Sequence, residues 1–434
     1  MSDHVALWDT PQQTQKEKIT VDVPPISNSA WSDIVTGKVK YQLDFLATKL
    51  VLRYLTLQVK DDPSPHTIQR CAQELRNIFR QNVDLACVQR DLLQIFGGGM
   101  SGGCMHEVTE VKDMIARGQK LLLAGDETLL RQLPAGDWIG GSIPYFMTER
   151  GGLSTRYMIY VTELPDFISG TTTKVYDAAT LASVYADTPQ NGFSIIIVPA
   201  FCATHLAFAL NAPKYQDFAT RPLIGWISGV HLNDMGKVTP KVFNGQTKTM
   251  LEDGAVVMHV ALPPAKVAEV GILNIFEQSE GDTITFQQDG FSAREAYVNG
   301  VKTNFAAYIT KNRLDTDLPL VADYFGAMVN VSFQNVDVVK QEVKFYAPVF
   351  VGVPYKHARP IDNYVQQFTS QVPTHLDKQV VFSCNCILNY IYSELEGKRT
   401  GEITGPTTFG EVAYQLLNQT MVYLTITDLA TEQS

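Results

Sequence analysis

The feature that most constrains the fold is a unit that recurs three times between residues 120 and 427. Each copy reads as a buried strand, a short helix, a strand that starts apolar-x-Gly, a loop, and a closing strand. The first copy holds Lys120-Leu-Leu-Leu-Ala-Gly-Asp, a helical stretch from Glu127 to Leu133, Trp138-Ile-Gly-Gly-Ser-Ile-Pro and Tyr157-Met-Ile-Tyr-Val-Thr. The second holds Phe193-Ser-Ile-Ile-Ile-Val-Pro, a helical stretch from Thr204 to Leu210, Leu223-Ile-Gly-Trp-Ile-Ser and the run Ala255 to Leu262. The third holds Gln379-Val-Val-Phe-Ser-Cys-Asn, a helical stretch from Ile387 to Leu395, Ile403-Thr-Gly-Pro-Thr-Thr and Thr420-Met-Val-Tyr-Leu-Thr-Ile. A strand that crosses through a helix to a second strand packs on a mixed sheet. The expected class is therefore α+β, with a large mixed-sheet body. Glycines 140, 225 and 405 mark either a strand bend or, in a functional reading, a place where a ligand approaches the backbone.

The rest of the chain divides around that body. Residues 1–30 read as a polar tail, and residues 31–96 as a small helical domain with apolar residues at three- and four-residue steps. The Gly97–Gly103 cluster makes residues 97–109 a glycine-rich linker. It follows a helix and lacks the lysine of a phosphate loop, so phosphate binding is not expected there. The body splits at residues 110–265 and 266–434.

Composition excludes several classes of function. Hydrophobic residues make up 45% of the 434 and charged residues 18%, ample for a large core. A net charge of -10 argues against a nucleic-acid partner, which needs a basic face. The apolar runs fall short of the roughly 20 residues that span a bilayer, so membrane insertion is not expected. Six cysteines at irregular spacing fit reduced thiols, and with no leader pattern at the start they suggest a cytoplasmic protein.

The third unit also carries a resemblance. Phe382-Ser-Cys384, Thr404-Gly405, Phe409-Gly410-Glu411 and Asn418-Gln419-Thr420 are similar to the C-terminal half of FIST domains. Tyr297-Val-Asn-Gly300, Ala307-Tyr308 and Leu318-Pro319-Leu320 resemble the stretch that precedes it, and Arg221 to Gly225 with Ala255–Leu262 resembles the N-terminal half. The resemblance covers residues 190–427, and more loosely 110–427. It implies a FIST-like fold in two halves and an intracellular sensory module. Such a module binds a small ligand such as an amino acid and acts through a separate signalling partner, here through residues 31–96. Some members bind haem.

Candidate site residues follow. Cys384 ends a strand, Gly410 lets a ligand approach the backbone, and Glu411 is the carboxylate of an otherwise uncharged stretch. Asn418 and Thr420 offer hydrogen bonds to a ligand or to their own turn. Together the five form the expected ligand site, with Glu411 as counter-ion to a ligand amine. Cys384 and Cys386 read as buried, unreactive thiols, and no zinc-type ligand spacing stands in the chain. His205 and His259 are the axial-ligand candidates if haem binds. No nucleophile elbow or Ser-x-x-Lys motif is present, so enzymatic activity is not expected. The readings left open are a small-ligand sensor, a non-enzymatic scaffold and a haem-binding gas sensor.

Overall fold

The computed structural model describes residues 103–324, 327–371, 379–401 and 403–429. They belong to the second of two units of the chain, Ser101–Ser434. The tail at 1–30, the helical domain at 31–96 and residues 97–102 of the linker lie outside the described residues. The end of the linker is not a linker. Cys104–His106 is a strand, and Val108 opens a helix.

Three copies of one unit build the body, as the repeat predicts. The first opens with β1 (Cys104–His106), α1 (Val108–Ala116), β2 (Leu121–Gly125), α2 (Glu127–Leu130) and β3 (Trp138–Ser142). A hairpin of β4 (Tyr145–Thr148) and β5 (Gly151–Ser154) follows, then β6 (Ile159–Glu163). The second opens with β7 (Gly170–Tyr176), β8 (Gly192–Pro199), α3 (Ala203–Asn211) and β9 (Leu223–Ser228). Its hairpin is β10 (Val242–Asn244) and β11 (Thr249–Leu251), and β12 (Ala255–Ala261) closes it.

The third unit starts with β13 (Lys266–Leu273) and then carries an insertion. The insertion holds β14 (Ile284–Thr285), β15 (Gly290–Ala293), β16 (Glu295–Val298), β17 (Val301–Asn304) and α4 (Phe305–Asn312). It continues through β18 (Leu320–Tyr324), β19 (Ala327–Val331), β20 (Phe333–Asp337), β21 (Glu342–Val349) and β22 (Tyr355–His357). Helix α5 (Tyr364–Gln371) leads back to β23 (Gln379–Cys386), α6 (Ile387–Tyr392) and β24 (Gly405–Thr408). The unit ends with the hairpin β25 (Glu411–Ala413) and β26 (Gln415–Leu417), and β27 (Met421–Asp428).

Within each unit two strands run parallel on either side of a short helix: β2 and β3, β8 and β9, β23 and β24. The closing strand pairs antiparallel with the first of the two, and the opening strand covers its far edge. The hairpin behaves differently, because it leaves its own sheet. The first unit's β4 pairs with β24, the second unit's β10 with β3, and the third unit's β25 with β9. Three six-stranded sheets are closed by this cyclic exchange. The boundary at 265/266 does separate the second unit from the third, but exchanged hairpins cross it.

The repeated glycines sit where the borrowed hairpins land: Gly140 opposite Phe243, Gly225 opposite Val412, Gly405 opposite Met147. A Cβ at Gly225 would lie 1.8 Å from the Ile196 carbonyl oxygen, and one at Gly405 2.2 Å from that of Ser383. At Gly225 and Gly405 the group that comes close is the parallel strand of the same unit. One large apolar core takes residues from all three sheets, among them Leu122, Ile195, Trp226, Phe382 and Phe146. The insertion has its own core around Phe286, Phe305, Phe333 and Phe345. Its Asn299-Gly300 pair, both at positive φ (49° and 81°), turns β16 into β17.

A buried carboxylic acid in the third unit

The three copies can be laid over one another by register, and the comparison locates the site. One residue past each repeated glycine, the borrowed hairpin places Val242 opposite Gly141, Glu411 opposite Trp226 and Phe146 opposite Pro406. All three hairpin residues are fully buried. Two copies therefore put an apolar side chain there, and the third puts a carboxyl group. The same holds nearby. Cys384 occupies the place of Ala124 and Ile197, and Thr420 that of Met158 and Gly254. Buried Ser383, Asn385, Thr404, Thr407 and Thr408 add to the polar interior of the third unit.

Glu411 is held mainly by Thr420, with the Cys386 thiol as a further hydrogen-bonding neighbour. Its Oε2 accepts hydrogen bonds from the Thr420 backbone N–H at 3.3 Å and the Thr420 hydroxyl at 2.8 Å. Its Oε1 has no hydrogen-bond partner in the protein. Burial disfavours the charged form and pushes the carboxyl up to about 8, against the opposing pull of the Thr420 hydrogen bonds. The group is thus mainly a neutral acid at pH 7. A neutral carboxyl group donates a hydrogen bond as well as accepting.

Two unpredicted residues share the site. Asn389, on α6, gives its Nδ2 to Asn385 Oδ1 (2.9 Å) and to the Thr420 carbonyl (3.4 Å), and leaves its Oδ1 without a partner. Tyr364, on α5, is partly exposed as a residue, yet its hydroxyl is buried and unpartnered. Burial first, then Cys386 and Glu411, hold its ionisation well above the usual tyrosine range. Among the described residues, ten buried side-chain polar atoms lack a partner. Six of them belong to Tyr364, Asn389, Tyr390, Thr407, Glu411 and Asn418, which concentrates the unmet hydrogen bonding in this unit. Neither Tyr364 nor Asn389 belongs to a motif; only the fold brings α5 and α6 to the carboxyl group.

The remaining candidates serve structure. Cys384 gives its thiol hydrogen to the Gly225 carbonyl at 3.3 Å, and burial pushes both it and Cys386 well above the usual thiol range. Beside Cys384 lies a space of about 10 Å³, lined also by Met147, Ser383, Thr404 and Met421, which is room for one water. Gly410 uses its carbonyl to accept from Ile227 N–H (2.8 Å) and the Thr408 hydroxyl (3.0 Å). Asn418 docks the insertion: its Oδ1 accepts from the Ser332 N–H (3.2 Å) and hydroxyl (2.8 Å).

His259 has no nitrogen left for iron, which removes it as an axial ligand. Its Nδ1 bonds Ser194 Oγ and its Nε2 bonds Tyr176 Oη, both at 2.7 Å, and Tyr176 in turn donates to Asp187 at 2.7 Å. His205 accepts from the Phe201 N–H at Nδ1 (3.1 Å), so its buried Nε2 carries the hydrogen, and its ring packs edge-on with Phe291. Among the described residues no group of three or more His, Cys, Asp or Glu is placed to hold a metal ion. None of their helices is long and apolar enough to cross a membrane.

A model of the family of unknown function DUF6976 matches residues 106–427. The chain belongs to that family. No curated protein matches it. The DUF6976 match runs from the end of β1 into β27, so it covers all three units and the insertion. The DUF6976 body thus includes the acid, its threonine and both unpredicted neighbours.

Proposed function

We propose that the chain is a non-enzymatic binding protein that senses a small molecule at Glu411 and acts through a separate signalling partner. The observation that carries this is the carboxyl group itself. It stands where two other copies of the unit have valine and phenylalanine, so packing does not require it. A buried polar atom left unpaired costs stability, and such a cost is typical of sites kept for function. The thiols beside it are held protonated, and a protonated thiol is a poor nucleophile, which favours binding over catalysis. The resemblance of the third unit to FIST domains points the same way and is the ground for the signalling role.

A thermal-shift screen of small metabolites, amino acids included, on the wild type and on Glu411→Val tests the reading. A ligand of the native state raises its melting temperature by mass action. A compound that stabilises the wild type and not the variant supports the site. Equal stabilisation of both would put binding elsewhere in the chain.

A further inference from the structure

Three Asn-Gly pairs stand in the chain, at 191–192, 244–245 and 299–300, and the fold treats them differently. Asparagine is chemically labile, and a glycine after it leaves the next backbone nitrogen unshielded. Gly192 is buried in β8 opposite Ala261, and Asn191 gives its Nδ2 to the Leu262 and Pro263 carbonyls at 3.1 and 2.8 Å. Asn244 and Gly245 are buried, and the Gly245 N–H donates to the Trp138 carbonyl at 2.8 Å. Asn299 and Gly300 are instead exposed at the tip of the β16–β17 hairpin. The Gly300 N–H has no partner among the described residues, and open space surrounds the place where a side chain would stand.

The Asn299 side chain ties that hairpin to the segment before β14. Its Oδ1 accepts from the Thr283 N–H at 3.0 Å, and its Nδ2 donates to Asp282 Oδ1 at 2.7 Å. Tyr308, on α4, donates to the other Asp282 oxygen at 2.7 Å. The Tyr308 hydrogen bond, then that of Asn299, holds the Asp282 carboxyl below its usual range, so it is an anion at pH 7.

We infer that Asn299 is a self-modification site, at which deamidation releases residues 279–283 from the hairpin. The Gly300 nitrogen attacks Asn299 Cγ. A new N–C bond forms, the Cγ–Nδ2 bond breaks, and the Gly300 proton leaves with the amide nitrogen as ammonia. Water, the only co-reactant, then opens the succinimide ring. Its hydroxyl goes to one ring carbonyl and its proton to the Gly300 nitrogen, which leaves aspartate or an isoaspartyl linkage. The Thr283 N–H stands at the amide oxygen, where charge develops during the attack, and so serves as an oxyanion donor. The product puts a carboxylate where an amide met Asp282. Two anions then face each other at hydrogen-bond distance, and they repel.

The test incubates the full-length protein at mildly alkaline pH, folded and in urea, and follows each asparagine by peptide mass spectrometry. In the folded protein Asn299 is expected to convert roughly tenfold or more ahead of Asn191 and Asn244, whose backbone has to open locally first. In urea the three are expected to convert at similar rates. Earlier conversion at Asn191 or Asn244, or equal protection of all three in the folded state, would overturn the assignment. A second measurement reads the consequence. Hydrogen exchange at Thr283 and in β16 and β17 is expected to quicken in Asn299→Asp. Adding Asp282→Asn restores an amide facing a carboxylate and keeps an acceptor for Tyr308, so the double variant is expected to regain wild-type exchange. Unchanged exchange in Asn299→Asp, or no rescue by Asp282→Asn, would overturn the release.

Discussion

Glu411 and Val242 occupy the same position in two copies of one structural unit, each fully buried on a hairpin that has crossed to the neighbouring sheet. Valine there is what the core calls for, and the acid is a departure from it. Glu411→Val is therefore expected to stabilise the protein. Burial raises the carboxyl group from 4.5 to about 8, so at pH 7 its neutralisation in the folded state has a cost. A tenfold change in an ionisation constant is worth about 1.4 kcal/mol, which gives a gain of roughly 1–3 kcal/mol at pH 7 in urea unfolding. A loss of stability would mean that the Thr420 contact is a structural cap.

The reciprocal change is expected to do harm. Val242→Glu places a carboxyl group in the same core with Gly254 where the third unit has Thr420, so no hydroxyl meets it. An unpaired buried carboxyl costs several kcal/mol. Loss of roughly 3 kcal/mol or more in the same unfolding assay is the expected outcome; a tolerated glutamate would show that this core admits acids generally.

How much of this is legible in the sequence depends on distance along the chain. The three-copy repeat is readable because each crossover is local: the helical stretches from Glu127, Thr204 and Ile387 match α2, α3 and α6 within a few residues. The hairpin exchange is not. Tyr145 and Gly405 are far apart in sequence, and nothing in either segment names its partner. Glu411 and Thr420 are recognisable as a pair of polar residues in an apolar stretch, whereas Tyr364 and Asn389 reach them only through tertiary packing.

Close strand approach makes the repeated glycines intolerant. A Cβ at Gly225 would meet the Ile196 carbonyl at 1.8 Å, and backbone on both sides of that contact is fixed by a parallel pair. Gly225→Ala is expected to cost more than about 4 kcal/mol, in the range reserved for severe core disruption. Soluble expression with a native circular dichroism spectrum would contradict the register.

Asn418 is expected to hold the insertion rather than a ligand. Its Oδ1 takes both the Ser332 N–H and hydroxyl, and Asn330 Nδ2 reaches the Asn418 and Gln419 carbonyls at 3.2 Å. Asn418→Ala leaves a buried N–H without its acceptor, a loss of about 1–3 kcal/mol. Hydrogen exchange should quicken around Asn330 to Phe333 while β8 and β9 stay protected. Uniform quickening across the body would mean that the insertion and the three sheets open together.

The pH dependence follows from groups of opposite sign. His205 and His259 are buried and neutral, with burial the first cause, and each is lowered from 6.5 to about 4. The unfolded chain therefore binds more protons than the folded one between about pH 4 and 6.5, and stability is lost as pH falls through that window. Glu411, raised from 4.5 to about 8, acts in reverse: the folded state holds the extra proton, so stability is lost as pH rises from about 4.5 to 8. Two histidines outweigh one carboxyl group below pH 6.5, and the carboxyl group acts alone above it. Wild-type stability is expected to peak near pH 6.5, whereas Glu411→Val should hold a plateau from there through pH 8. Urea unfolding across roughly pH 4 to 9 separates the two profiles. If the variant keeps the wild-type decline above pH 6.5, a group other than Glu411 carries that proton.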